Sequence, residues 1–284
     1  MNDLRARLAG GESILMPGAW DALSSRLAGD VGFSTVFLSG YCVSGTQLGL
    51  PDYGFLTQTE MADQARRVTA ANPGLNVVVD GDTGYGNPLN VIRTVELWEQ
   101  AGAAGVFIED QIWPKRCGHM AGKQVVPQDE WLNKLRAAVD HRDELLVCAR
   151  TDARAALDLD AAIERAKAAV DTGVDAVFVE APETIAEMER IAAEVPAPVL
   201  VANMVEAGRT PLLTPTELTD LGFRLVVSPL TSLFSMVSAV RTSLEILASE
   251  GSLRDHLDRV VSFDDFTEIV GLPGIASTEE RYGG

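Results

Sequence analysis

The chain predicts an α/β fold, a (β/α)₈ TIM barrel, on three observations. Short β-branched apolar runs alternate with longer amphipathic segments from end to end. Most of these runs are apolar throughout, as expected of a parallel sheet covered on both faces. Nearly every run also stops abruptly at a polar or charged residue. An open doubly wound sheet is the other architecture the alternation allows. The 284 residues suffice for one large barrel. No repeat, low-complexity tract or linker interrupts them, so residues 1–284 read as one domain, with 249–284 a C-terminal appendage of weaker pattern whose GLPGIASTEERYGG end reads as mobile.

The strands are expected at Ile14–Pro17, Thr35–Ser39, Asn76–Asp80, Gly105–Glu109, Leu145–Arg150, Ala176–Glu180, Pro198–Asn203 and Arg224–Ser228. Helical spacing predicts Thr59–Ala71, with Thr57 as N-cap, and then Leu89–Ala101. Val126–Val139 carries Pro127 in its first turn, where a missing N–H costs nothing. Leu159–Val170, Thr184–Ala193, Pro215–Leu221 and Leu233–Ala248 complete the set.

Composition narrows the function. A net charge of −18 argues against nucleic acid or an anionic membrane as partner, but not against a small anion held in a local positive pocket. Cys42, Cys117 and Cys148 are odd in number and far apart, which argues against a disulfide framework. The first residues, MNDLRARLAGGES, hold no apolar core of signal-peptide length, and no apolar run approaches the roughly 18–20 residues of a membrane span. The expectation is a cytoplasmic protein.

The polar strand ends are Ser39-Gly40-Tyr41, Asp80-Gly81-Asp82, Glu109-Asp110-Gln111, Arg150-Thr151-Asp152, Glu180, Asn203 and Ser228. In a parallel barrel all of these lie on one rim, where active sites form. Asp80 and Asp82, two apart at a strand end, project to one side; with Glu109 they suit a hard cation that keeps several waters, Mg²⁺ more than Zn²⁺. An Asp-Gly turn with an Asx cap is the plainer account of the same residues. Arg150 presents a planar fork suited to a carboxylate, or else pairs with Asp152 or Glu180. Glu180 can orient Arg150 or accept a substrate hydroxyl. In Lys115-Arg116-Cys117-Gly118-His119 the thiol follows two cations and precedes an imidazole, which favours the thiolate and suits proton transfer. Read plainly, Cys117 is an inert loop residue, and His119 either supports it or hydrogen-bonds the loop.

The motifs SGY…GTQLGLPD (39–52), VDGDTGYG (79–86), IEDQ…PKRCGH (108–119), ARTDA (149–153), VEAP (179–182) and ANMVEAG (202–208) together resemble the isocitrate lyase/phosphoenolpyruvate mutase superfamily, from about Pro17 to Leu230. The resemblance implies a (β/α)₈ barrel assembled as a homotetramer, a dimer of dimers that swap the last helix. It implies Mg²⁺, or Mn²⁺ in its place, held by Asp82 largely through water, with Asp52, Asp80 and Glu109 around it. Ser39, Gly40, Tyr41, Gly118, Arg150, Glu180 and Asn203 would contact an α-keto or α-hydroxy acid. The Cys117 loop would form a lid whose thiol protonates the carbanion left by C–C cleavage, and Tyr41 would deprotonate the C2 hydroxyl.

Within the superfamily the Cys-Gly-His lid is similar to that of the lyases for isocitrate, methylisocitrate and 2,3-dimethylmalate. It also resembles that of carboxyvinyl-carboxyphosphonate phosphonomutases. Pro229 stands where oxaloacetate hydrolases tend to carry serine, and Phe234 where methylisocitrate lyases carry an arginine. The expectation is a Mg²⁺-dependent lyase for a small 2-hydroxy dicarboxylate of the 2,3-dimethylmalate type. A phosphonomutase, a methylisocitrate lyase and a non-catalytic diacid-binding barrel are the alternatives.

Overall fold

The computed structural model describes residues 3–118 and 122–283. Two compact units are present, Met1–Thr231 and Ser232–Gly284. In the first, eight strands close a parallel barrel in sequence order: β1 (Ile14–Ala19), β2 (Thr35–Leu38), β3 (Asn76–Asp80), β4 (Gly105–Glu109), β5 (Leu146–Thr151), β6 (Ala176–Val179), β7 (Leu200–Asn203) and β8 (Phe223–Ser228), with β8 pairing back onto β1. The doubly wound alternative is thereby excluded.

The helices Gln58–Ala71, Pro88–Gln100, Gln128–His141, Leu159–Val170, Ile185–Glu194 and Pro215–Asp220 alternate with the strands. Thr57 caps the first of them in a reciprocal box with Glu60. Pro127 does not enter its helix; it is the N-cap, and the first turn starts at Gln128. Helices Asp3–Ala9 and Ala22–Asp30 are not anticipated by the apolar pattern. The second, ALSSRLAGD, lacks a continuous apolar stripe and is stabilised at its start by the Asp21/Ser24 capping box. The first is seven residues long, yet Leu4 and Leu8, one turn apart, are buried in the same apolar cluster as Ile14, Phe37, Val78 and Phe107.

The unit Ser232–Gly284 contains all but the first residue of the helix Thr231–Glu250, followed by helices Phe263–Ile269 and Leu272–Tyr282. The last is helical where the sequence reads as mobile. Gly271, at φ +80, and Pro273 in the first turn mark its start. Among the described residues no helix is long and apolar enough to cross a membrane.

The barrel interior positions the rim. Phe37, Val78, Phe107, Cys148, Phe178 and Val201 all belong to the buried apolar cluster. Phe107 packs against both Phe37 and Phe178, at ring distances of 5.1 and 5.9 Å. Because side chains alternate along a strand, the residue two positions further on projects from the same side, now at the strand's C-terminal end. Those residues are Ser39, Asp80, Glu109, Arg150, Glu180 and Asn203. Each strand from β2 to β7 thus continues its interior column with one polar group.

Candidate active site at the barrel rim

Two charged clusters occupy the rim. The first is acidic. Asp80, at the end of β3, accepts a hydrogen bond from the Asp82 N–H at 3.1 Å, an Asx-type turn that reverses the chain. Asp82 itself takes φ +45, and its carbonyl accepts the Glu109 N–H at 2.8 Å, fixing it to the end of β4. Gly40 backs the cluster; a methyl group there would lie 2.9 Å from Asp80 Oδ2. Asp52 comes from the loop before the helix Gln58–Ala71. All four carboxylates are buried.

Lys115 supplies the counter-charge, with Nζ 2.7 Å from both Asp52 Oδ1 and Asp82 Oδ1. Burial disfavours the ammonium, but Asp82, Asp52, Asp80 and Glu109 more than offset it and hold its pKa well above the usual lysine value. Burial, together with Asp80 and Asp52, pushes Asp82 up to about 7 against the pull of Lys115. Burial also drives Glu109 well above the carboxylate range, although Arg150 opposes it.

These groups suit a hard divalent cation. Asp82 Oδ1 and both Glu109 oxygens are buried without a hydrogen-bond partner; the nearby Lys115 and Arg150 contacts are ion pairs without hydrogen-bond alignment. Carboxylate oxygens such as these are the hard donors that Mg²⁺ takes. Among the described residues no three acidic, His or Cys side chains form a ready cage.

The second cluster surrounds Arg150. Its Nε and Nη2 donate to Asp152 at 3.0 and 3.2 Å, Nη2 lies 3.0 Å from Glu180 Oε2, and Nη1 lies 3.4 Å from Glu109 Oε2. The guanidinium also stacks over Phe178 at 5.4 Å. Both ion pairs left open by the sequence are therefore present, and Glu109 joins the two clusters. Asn203 donates to Glu180 at 3.3 Å, and its Oδ1 is buried without a partner.

The segment after Pro114 packs on both clusters. The Cys117 N–H donates to the Asp52 carbonyl at 3.2 Å. A methyl on Gly118 would fall 2.5 Å from the Glu180 carboxyl and 2.6 Å from Arg150 Nη2, so only glycine allows this approach. Lys115 is drawn to the acidic cluster, and Arg116 lies 5.4 Å over the Tyr53 ring. The buried Gln111 amide clasps this turn, accepting the Arg116 N–H at 3.0 Å and donating to the Arg116 carbonyl at 2.8 Å. His119 lies outside the described residues.

Ser39 caps the short helix Gly40–Val43, accepting the Cys42 N–H. Tyr41 is half-buried, and burial with Cys117, Cys42 and Asp52 raises its pKa above the usual phenol value. Burial pushes the Cys42 thiol up to about 12, and its Sγ donates to the Pro229 carbonyl at 3.2 Å.

The sequence places Gln111 at a polar strand end and Lys115 beside the thiol, but it does not foretell the Lys115 contacts with the acidic cluster or the Gln111 clasp on Arg116, and it passes over Lys123 altogether. A lysine and an amide in a loop look solvent-facing, and only the tertiary fold buries them.

The phosphoenolpyruvate phosphomutase family model matches residues 4–248. The petal death protein of Dianthus caryophyllus is 46% identical over 273 residues, covering 95% of this chain and 85% of that protein. The chloroplastic carboxyvinyl-carboxyphosphonate phosphorylmutase of Arabidopsis thaliana is 46% identical over 275 residues, with 95% and 80% covered. The 2,3-dimethylmalate lyase of Eubacterium barkeri is 40% identical over 281 residues, with 98% and 96% covered. Among solved structures, a 2,3-dimethylmalate lyase superposes with a TM-score of 0.94 at 32% identity, covering 99% of this chain and 94% of that one. An oxaloacetate acetylhydrolase bound to 3,3-difluorooxalacetate gives 0.93 at 34%, with 99% and 96% covered. With its closed eight-stranded barrel and a family match over most of its length, the chain belongs to the phosphoenolpyruvate mutase/isocitrate lyase superfamily and is an enzyme of that superfamily.

Proposed function

We propose that the protein is a Mg²⁺-dependent carbon–carbon lyase that splits a small 2-hydroxy dicarboxylate of the 2,3-dimethylmalate type into a 2-oxo acid and a second carboxylate. The observation that carries this reading is the seating of Cys117-Gly118 on both clusters, through the Asp52 carbonyl on one side and the Glu180–Arg150 pair on the other. A backbone so seated supports the reading that the Cys117 thiol works between the cation site and Arg150, where a carbanion formed next to a carboxylate needs a proton.

Superfamily members are generally Mg²⁺-dependent. Asp82 would hold the ion, mainly through water, with Asp52, Asp80 and Glu109 around it, and the ion supplies Lewis-acid polarisation of the oxygen on C2. Arg150, oriented by Asp152 and Glu180, binds a substrate carboxylate and offsets the charge that builds in the transition state. Glu180 accepts the C2 hydroxyl proton. The raised pKa of Tyr41 keeps it a phenol, so it serves this step better as a hydrogen-bond donor to the C2 oxygen than as the base. The C2–C3 bond breaks as C2 becomes a ketone. Its electron pair remains on C3, conjugated with the neighbouring carboxylate, and Cys117 delivers the proton there. Ser39, Gly40, Gly118 and Asn203 complete the substrate contacts, and His119 would support the thiol. The step is redox-neutral.

By the superfamily resemblance Phe234 stands where methylisocitrate lyases carry an arginine, and an apolar side chain at that position would favour a dicarboxylate over methylisocitrate. The exposed apolar residues of the C-terminal unit, among them Leu244, Phe263 and Ile275, support assembly into the helix-swapped homotetramer that the superfamily resemblance implies.

Incubation of the pure protein and Mg²⁺ with 2,3-dimethylmalate, methylisocitrate, oxaloacetate and phosphonopyruvates, with pyruvate followed by a coupled assay and the other products by NMR, tests the proposal. 2,3-Dimethylmalate should give pyruvate and propionate. A preference for methylisocitrate of about tenfold, some 1.4 kcal/mol of discrimination, would overturn the Phe234 argument. Isomerisation of a phosphonopyruvate to a phosphoenolpyruvate, with no diacid cleaved, would make the protein a mutase, the class of activity named for its relative in Arabidopsis thaliana.

A further inference from the structure

Lys123 stands outside every catalytic motif, yet its side chain is wholly buried. A buried ammonium needs counter-charge and acceptors to persist. Lys123 has two partners: Asp152 Oδ1, at 2.6 Å, and the carbonyl of Gly118. The same Asp152 carboxylate receives Arg150 through Nε and Nη2. Asp152 is itself anchored from outside the rim. Its N–H donates to Asp110 Oδ1 at 2.8 Å, and Asp110 is held by Thr151 Oγ1 at 2.6 Å and Arg165 Nε at 2.8 Å. A continuous chain of charge-assisted hydrogen bonds thus runs from the helix Leu159–Val170, through Asp110, Asp152 and Lys123, to the residue next to Cys117.

We propose that Lys123 is a positioning residue whose ammonium ties Gly118, and with it Cys117, to the carboxylate that orients Arg150. One buried cation then sets the thiol and the guanidinium in a common frame. Without it, Asp152 keeps Arg150, but the Gly118 carbonyl loses its only charged donor among the hydrogen bonds described. The effect on turnover rests on the roles proposed above for Cys117 and Arg150; the tethering of the loop does not.

The test uses the intact protein with Lys123→Met, which keeps the volume of the stem, and Lys123→Gln as the milder change. Alkylation by iodoacetamide is followed at each cysteine by peptide mass spectrometry. Cys117 should react about tenfold faster or more in both variants, a local release, while Cys42 and Cys148 stay as slow as in the wild type because both are buried. Lys123→Arg should restore part of the protection. kcat on 2,3-dimethylmalate should fall about 10²-fold, the scale of a small misplacement of a reacting group, with KM changing much less. Unchanged Cys117 alkylation in a folded Lys123→Gln protein would overturn the proposal. So would parallel acceleration at all three cysteines, which marks general loosening. If Cys117→Ser turns over normally, the lyase mechanism fails while the alkylation result still decides the tether.

Discussion

At the scale of single residues, the rim is organised by ions that restrain one another. Asp152 is the clearest case. Burial pushes its pKa up, but Arg150 and Lys123 more than offset this and hold it down to about 2. A carboxyl depressed in the folded state stabilises the protein above its ordinary value of 3.8, and that contribution is lost as pH falls from there toward about 2. Asp152→Asn should therefore cost about 3–5 kcal/mol at neutral pH, the scale of a broken buried pair. The gap to wild type should hold down to about pH 4 and narrow below it, which urea unfolding at stepped pH measures. Cys117→Ser addresses the chemistry instead. It should lower kcat by about 10²–10⁴, the usual range for a positioned proton donor, while the Kd of a diacid inhibitor moves far less. Normal turnover in that variant would return Cys117 to a loop residue. Arg150, Asp82 and Glu109 are legible from the sequence because each ends an apolar run. Lys123 is not, nor is the burial of Lys115 against Asp52 and Asp82, since nothing local distinguishes a buried lysine from a solvated one.

At the scale of elements, the turn after β3 decides where Asp82 stands. The Gly81 N–H donates to the Phe107 carbonyl at 2.9 Å, and a methyl on Gly81 would meet that oxygen and Val106 Cγ2 at 2.6 Å each. Neither β4 backbone nor a buried valine can yield cheaply. Gly81→Ala should cost about 1–3 kcal/mol from overpacking and lose activity beyond that, because Asp82 moves with the turn. Gly74→Ala, with nothing within 4 Å, should change stability by less than about 0.5 kcal/mol. Thermal unfolding and kcat of the two variants check both. Strands and long helices were readable because their periodicity spans many residues. Asp3–Ala9 was not, because two leucines one turn apart make no periodic signal until a barrel interior receives them.

At the scale of the whole molecule, cation binding and assembly are the measurable quantities. If the acidic cluster binds Mg²⁺ only when folded, saturating Mg²⁺ should raise Tm, with a stabilisation of about 2.7 kcal/mol at a hundredfold excess over Kd. A chelator should remove both that shift and activity, and Mn²⁺ should restore them. Asp82→Ala should abolish the shift while leaving a folded barrel, because rim residues serve the site more than the core. Full activity in excess chelator would exclude the metal. Sedimentation or light scattering of the full chain reads the assembly, for which four copies are expected.

The sequence by itself determined the parallel strand–helix alternation, the polar strand ends and the residue types on them. The closed barrel rather than an open sheet was decided by the pairing of β8 with β1. An apolar strand followed by a polar end is a local pattern, and parallel topology carries all such ends to one side. Only the tertiary structure decided which charges meet. It brought Lys115 from the loop after β4 to Asp52 and Asp82, and it shared Asp152 between Arg150 and Lys123. It also packed Gly118 onto Glu180 and Arg150. These pairings join residues from separate loops, and their strength depends on burial, which no stretch of sequence holds until the barrel has closed.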